Sequence, residues 1–204
     1  MTQTWAEARQ AYSEATVWFQ EVLAQVDDRW EEPGLGEWDV RALAGHTSRS
    51  FLTVESYLAV PAAAVEVESA RDYYLAISGM SAGADIAQRG RDAGRALGDD
   101  PVAAVAELAR RVLALLADRD GEELPTTIAG GMRLRDFVLT RVLELTVHTS
   151  DLAVALGIPV EPPGLPARLT LTLIADLAVA GGRAGDLLLA STGRRALPDG
   201  FTVL

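Results

Sequence analysis

With 204 residues, the chain is long enough for one domain with a well-buried core, or for one domain carrying a small appendage. Hydrophobic residues make up 49% and charged residues 23%, ordinary usage for a soluble globular protein, and no stretch approaches the roughly 20 uninterrupted apolar residues of a membrane span. A net charge of −11 repels a phosphate backbone, so no nucleic-acid partner is expected, and the absence of cysteine excludes disulfides, thiolate zinc sites and a cysteine nucleophile.

The opening Met-Thr-Gln-Thr-Trp-Ala-Glu lacks the basic-then-apolar layout of a secretory signal, and cytoplasmic residence is the expectation. Every basic residue except the two histidines is arginine and alanine is abundant, which resembles the coding bias of GC-rich bacterial genomes such as those of actinobacteria.

From Thr4 to about Val26, Trp5, Ala8, Tyr12, Ala15, Phe19, Val22 and Val26 recur at spacings of three and four, which predicts an amphipathic helix. The turn Glu32 to Trp38 ends that pattern, and Asp39 is placed to cap a second helix from Val40 to about Val60. Pro61 to Ser81 carries a mixed signal. Helices are predicted over Ala82–Leu97 and Pro101–Asp118, the latter opened by Asp100-Pro101, a capping side chain before a first-turn proline. Gly121 to Met132 reads as a connecting loop with some extended backbone around Thr126-Thr127-Ile128, and Leu134–Leu156 as a long helix stopped by Gly157. The prolines between Ile158 and Pro166 predict a linker. Beyond it come a helix over Ala167–Ala180, a helix or strand over Gly185–Ser191, and a short terminal strand, Phe201–Leu204.

The chain's two histidines, His46 and His148, both fall in predicted helices. Glu144 and His148 are four residues apart, so they stand one turn apart on one helix face. Were the two helices to pack side by side, His46 would complete a set of two imidazoles and one carboxylate, a type that bundle cores build between facing helices. Such a set suits zinc, iron, nickel or manganese and leaves a coordination position free. Spacing alone equally allows an ordinary helical pair and a satisfied core histidine. Asp151, one turn beyond His148, is read as an acceptor for that imidazole or as a helix-surface residue, and Trp38 as a staple or core residue. Arg133, Arg135, Arg141, Arg194 and Arg195 are of the type that binds a carboxylate substrate, but a solvated helix face explains each at least as well, and none is assigned a substrate role.

The run Gly36-Glu37-Trp38-Asp39-Val40-Arg41-Ala42-Leu43-Ala44-Gly45-His46-Thr47 resembles the opening of the DinB-like superfamily, and more narrowly the mycothiol-dependent maleylpyruvate isomerase family. Arg141 to Ala153, with Glu144, His148, Asp151 and Leu152, resembles that family's Glu-x-x-x-His-x-x-Asp-Leu signature. Gly193-Arg194 and Leu197-Pro198-Asp199-Gly200 resemble the close of its short members. The resemblance implies a mainly α fold, a DinB-like up-and-down four-helix bundle with extra helices, over residues 1–158, and a short C-terminal extension over 159–204 packing on it. It also implies His46, Glu144 and His148 as ligands of a divalent metal, usually zinc, with mycothiol as thiol cosubstrate. The activated thiolate would isomerise a cis double bond by addition and elimination, or be transferred to an electrophile.

About forty residues follow the proline-rich linker, where the better-defined isomerases carry a longer domain, so maleylpyruvate itself is not expected as substrate. The alternatives are a DinB-like metal-water hydrolase and a non-catalytic metal-binding bundle. A homodimer is compatible with the pattern but not specified by it. With no lysine, no Gly-x-Ser-x-Gly elbow, and Gly79, Gly83, Gly90, Gly94 and Gly98 following no strand, the chain offers no P-loop, Schiff base, hydrolase elbow or dinucleotide fingerprint.

Overall fold

A computed structural model describes residues 3–78 and 83–204, and the protein is mainly helical over them. The first helix, α1 (Trp5–Leu23), starts where the sequence provides a start: Thr4 accepts from the Glu7 amide, and the Glu7 side chain reaches back to the Thr4 amide. A short 3₁₀ turn, Arg29–Glu31, leads to α2 (Val40–Leu58), whose Asp39 carboxylate accepts from the Ala42 amide at 2.7 Å. After it come α3 (Ala70–Ile77), α4 (Gly83–Ala96) and α5 (Pro101–Ala117), then a two-residue antiparallel ribbon, β1 (Thr126–Thr127) and β2 (Gly130–Gly131). The chain continues with α6 (Leu134–Ala155), α7 (Gly164–Ala180) and α8 (Ala184–Ser191).

Helices α1, α2, α5 and α6 form a ring in which α6 touches α1 and α2, and α5 touches the same two from the other side. Although consecutive in sequence, α1 and α2 lie across the ring and meet through its centre, where Tyr12 and Phe19 of α1 pack on Phe51 of α2. The centre is closed by fully buried Leu43, Leu116, Leu134, Phe137, Leu143, Leu145 and Leu152. Helix α6 is covered on several sides, by α1, α2, α3 and α7, and its buried residues accordingly run around its circumference rather than along one stripe.

Outside the ring, α4 lies against α2 at backbone distance. A Cβ built on Gly45 would stand 2.1 Å from the Gly94 amide nitrogen, and one on Gly90 would stand 2.5 Å from the Trp38 indole. The glycines at Gly90 and Gly94 thus serve close helix packing.

Two expectations are corrected, and the stretch of mixed signal is resolved. The mixed stretch contains α3, started by Ser69, which accepts from the Asp72 amide; Ser81 and Ala82, at the edges of two predicted segments, lie outside the described residues. The proline-rich linker ends at Pro163, because Pro166 falls in the first turn of α7, where no backbone donor is required of it. Phe201–Leu204 forms no strand; the segment has no neighbouring strand to pair with among the described residues. Gly185–Ser191 is helical, as part of α8.

Candidate metal centre

Packing α2 against α6 brings His46 to the face of α6 that carries Glu144 and His148. One ring nitrogen of each imidazole and one carboxylate oxygen all lie within 4.8 Å of one another. The i,i+4 spacing places His148 Nε2 3.3 Å from Glu144 Oε2, and both side chains are largely buried, 17% and 21% exposed.

Each member is held from behind. His148 Nδ1 lies 3.0 Å from Asp151 Oδ2, so the proton on Nδ1 is donated to the carboxylate and Nε2 is left facing Glu144. Glu144 Oε1 accepts a 2.7 Å hydrogen bond from the Tyr74 hydroxyl, brought in by α3. The His46 ring lies 4.5 Å from the Trp38 ring at a tilt of 33° and meets the His148 ring edge-on at 4.8 Å. Trp38 in turn donates its indole N–H to the Ala87 carbonyl of α4. The close α2–α4 contact therefore fixes an aromatic plate against His46.

The electrostatics differ for each residue. Burial disfavours the charge on His46 and the adjacent His148 adds to that, pushing His46 down to about 4 and keeping it neutral at neutral pH. Burial also opposes ionisation of Glu144, yet the His148 hydrogen bond, the Arg141 and His148 charges and the Tyr74 hydroxyl outweigh it and hold the carboxyl well below the usual range. At His148 burial is outweighed by hydrogen bonds to Asp151 and Glu144, which push it up to about 9.

These residues fit a divalent cation. A neutral imidazole, an ionised carboxylate and a second imidazole whose far nitrogen is anchored form a borderline donor set of the kind zinc, iron, nickel and manganese accept. His46 Nδ1 is moreover fully covered and has no hydrogen-bond partner. A covered polar atom without a partner is costly, and a cation close to three converging donors offsets that cost.

Sequence reasoning named the three donors and Asp151 but missed the supporting shell of Tyr74, Thr140 and Arg141. Tyr74 lies 70 residues from Glu144 and in the segment with no clear period. The Ser69-x-x-Asp72 capping pattern is the signal that would have announced its helix. Arg141, read from the sequence as solvated, is buried at 8% exposed; its place on the Phe137–Arg141–Leu145 line of an apolar helix face was the available signal.

A family model described as mycothiol maleylpyruvate isomerase N-terminal domain matches residues 12–153, the span that contains α2, all but the last two residues of α6, and all three candidate donors. No curated protein and no solved structure matches the chain. The fold, the two motifs in order and this match over more than half of the chain place the protein in the mycothiol maleylpyruvate isomerase N-terminal domain family.

Proposed function

We propose that the protein is a metal-dependent enzyme that uses mycothiol as thiol cosubstrate, which either isomerises a small electrophile or is transferred to it through sulfur. The observation that carries the reading is the convergence of His46, Glu144 and His148 donor atoms within 4.8 Å. In this reading the three side chains hold a divalent cation, zinc being best suited to two imidazoles and one carboxylate, over a metal-binding unit of residues 1–158 with 159–204 as its extension. When bound, the cation supplies electrostatic stabilisation of thiolate over thiol, making sulfur nucleophilic near neutral pH. The lack of cysteine agrees with a borrowed thiol.

The chain's own residues set the conditions for that chemistry. Asp151 keeps the proton on His148 Nδ1, leaving Nε2 as the ligand atom. Tyr74 holds Glu144 Oε1, so the carboxylate keeps its charge and its orientation. Trp38 shields one face of His46 and limits water there. In the isomerisation, thiolate sulfur forms a bond to one alkene carbon while the π pair moves into the conjugated carbonyl. Rotation about the resulting single bond follows, and the electron pair returns as the C–S bond breaks.

The test is turnover of a fluorogenic haloalkyl electrophile and of cis-enone substrates by zinc-loaded protein, with and without mycothiol. The proposal expects turnover that requires mycothiol and is lost in His148→Ala. Turnover that proceeds equally without any thiol would overturn it and favour a metal-water hydrolase.

A further inference from the structure

Two of the three candidate donors have a hydrogen bond that fixes their plane. Asp151 holds His148 at Nδ1, and Tyr74 holds Glu144 at Oε1. No hydrogen bond holds the His46 ring among the described residues, and its Nδ1 is fully covered. The outer torsion of a histidine side chain has broad minima, so the ring takes the orientation that its neighbours leave open. Two of those neighbours are rings: Trp38 lies over it at 4.5 Å with a tilt of 33°, and His148 meets it edge-on at 4.8 Å. Turning the His46 ring out of this slot drives its edge into the indole.

Trp38 acts as a stop because it is itself fixed, and what fixes it is α4, on which none of the three donors lies. The indole is 9% exposed and donates its Nε1–H to the Ala87 carbonyl at 2.9 Å. Three residues on, Gly90 presents bare backbone to the same ring. A Cβ there would stand 2.5 Å from Trp38 Cε2, 2.6 Å from Nε1 and 2.7 Å from Cζ2. The indole therefore has no room to back away from His46. Beside the donor itself, a Cβ on Gly45 would meet the Gly94 amide nitrogen at 2.1 Å, so α2 is seated on α4 next to the residue that carries the imidazole.

We propose that Trp38 is a positioning residue and that α4, acting through Gly90 and the indole, sets the orientation of His46 in the place where His148 uses a carboxylate. The two imidazoles are thereby held differently: His148 gains basicity from Asp151, whereas His46 is oriented by packing and keeps its nitrogens free of a competing acceptor. Affinity for the cation then depends on how closely α4 docks. The effect on metal rests on the donor reading above, whereas the orientation of the ring is tested without metal.

The experiment uses the full chain as Gly90→Ala, Trp38→Phe and the double variant. A phenyl ring is smaller than an indole and vacates the volume around Nε1, Cε2 and Cζ2 that the Gly90→Ala methyl group would enter. Zinc affinity against a competing chelator is expected to fall about tenfold in Gly90→Ala, as for loss of a group that orients a ligand. Added to Trp38→Phe, the same substitution should cost less than about twofold, because the perturbation travels through the indole. In the metal-free protein the His46 Hε1 resonance, one of only two such imidazole signals, should move in Gly90→Ala more than that of His148. The visible spectrum of the cobalt(II)-loaded protein should change as well. A folded Gly90→Ala with wild-type zinc affinity and an unmoved His46 resonance would overturn the proposal. An equal loss of affinity in both backgrounds would also overturn it, since general loosening of the bundle does not depend on the indole. If Gly90→Ala does not fold by circular dichroism, Trp38→Leu beside Trp38→Phe decides: the variant that keeps a flat ring should bind zinc more tightly, and equal affinity refutes the positioning role. If the wild type takes up no zinc, the metal reading falls and the His46 resonance decides the positioning alone.

Discussion

Replacing Tyr74 by Phe removes one oxygen and leaves the ring, which is 7% exposed, in place. The hydroxyl has a single proton and two acceptors within reach, Glu144 Oε1 at 2.7 Å and the Thr140 carbonyl at 3.1 Å. The shorter contact is to the charged acceptor, so the proton belongs to Glu144. A hydrogen bond to a charged group contributes about 1.5–3 kcal/mol net, and the residual partner of Glu144, His148, offsets part of its loss. Tyr74→Phe is therefore expected to destabilise the metal-free protein by about 1.5–2 kcal/mol in urea unfolding. Zinc affinity, measured against a competing chelator, should fall about tenfold, as for loss of a residue that orients a ligand. Tyr73→Phe is the control: its hydroxyl does not reach Glu144, and zinc affinity should stay within about twofold of wild type. A Tyr74→Phe protein with wild-type stability and zinc affinity would refute the argument that this hydroxyl holds the carboxylate.

Further expectations concern the scaffold. Gly45→Ala places a methyl group 2.1 Å from the Gly94 amide nitrogen, forces α2 and α4 apart, and should cost about 1–3 kcal/mol in denaturant unfolding despite Ala's better helix propensity. Gly185→Ala, with nothing within 4 Å, should be neutral or slightly stabilising in the same assay. Asp136 is held above its usual range because burial outweighs Arg135 and Arg133. A raised folded-state value means its favourable contribution is present below the unfolded value and is lost as pH rises through the folded one. Asp136→Asn should accordingly unfold at higher urea than wild type at pH 7, by up to about 0.5 kcal/mol, with the gain vanishing toward pH 3. A gain that grows on acidification would contradict the sign.

The long elements were legible because period and punctuation agreed. Asp39 and Asp100-Pro101 each mark a start, and each caps its helix in the structure. Helix α3 was hidden because its eight residues make two turns, too few for a period, inside a segment with proline and scattered charges. The scarcity of histidine and the Glu144–His148 spacing narrowed the proposed donors, and the resemblance of the two motifs to a metal-binding family named them. Their surroundings could not be named, since Tyr74, Trp38 and α4 reach the site through tertiary packing across tens of residues. Arg141 shows the same limit from the other side: on a helix covered by several neighbours, charge no longer marks the solvent face.

His46, Glu144 and His148 are proposed to hold one divalent ion. Elemental analysis of untagged protein, wild type beside folded His46→Ala and His148→Ala, tests it directly. Close to one equivalent of zinc or another divalent metal is expected in the wild type, lost in both variants. A wild type that is metal-free and also fails to take up added zinc or nickel, or variants that retain the metal, would contradict it.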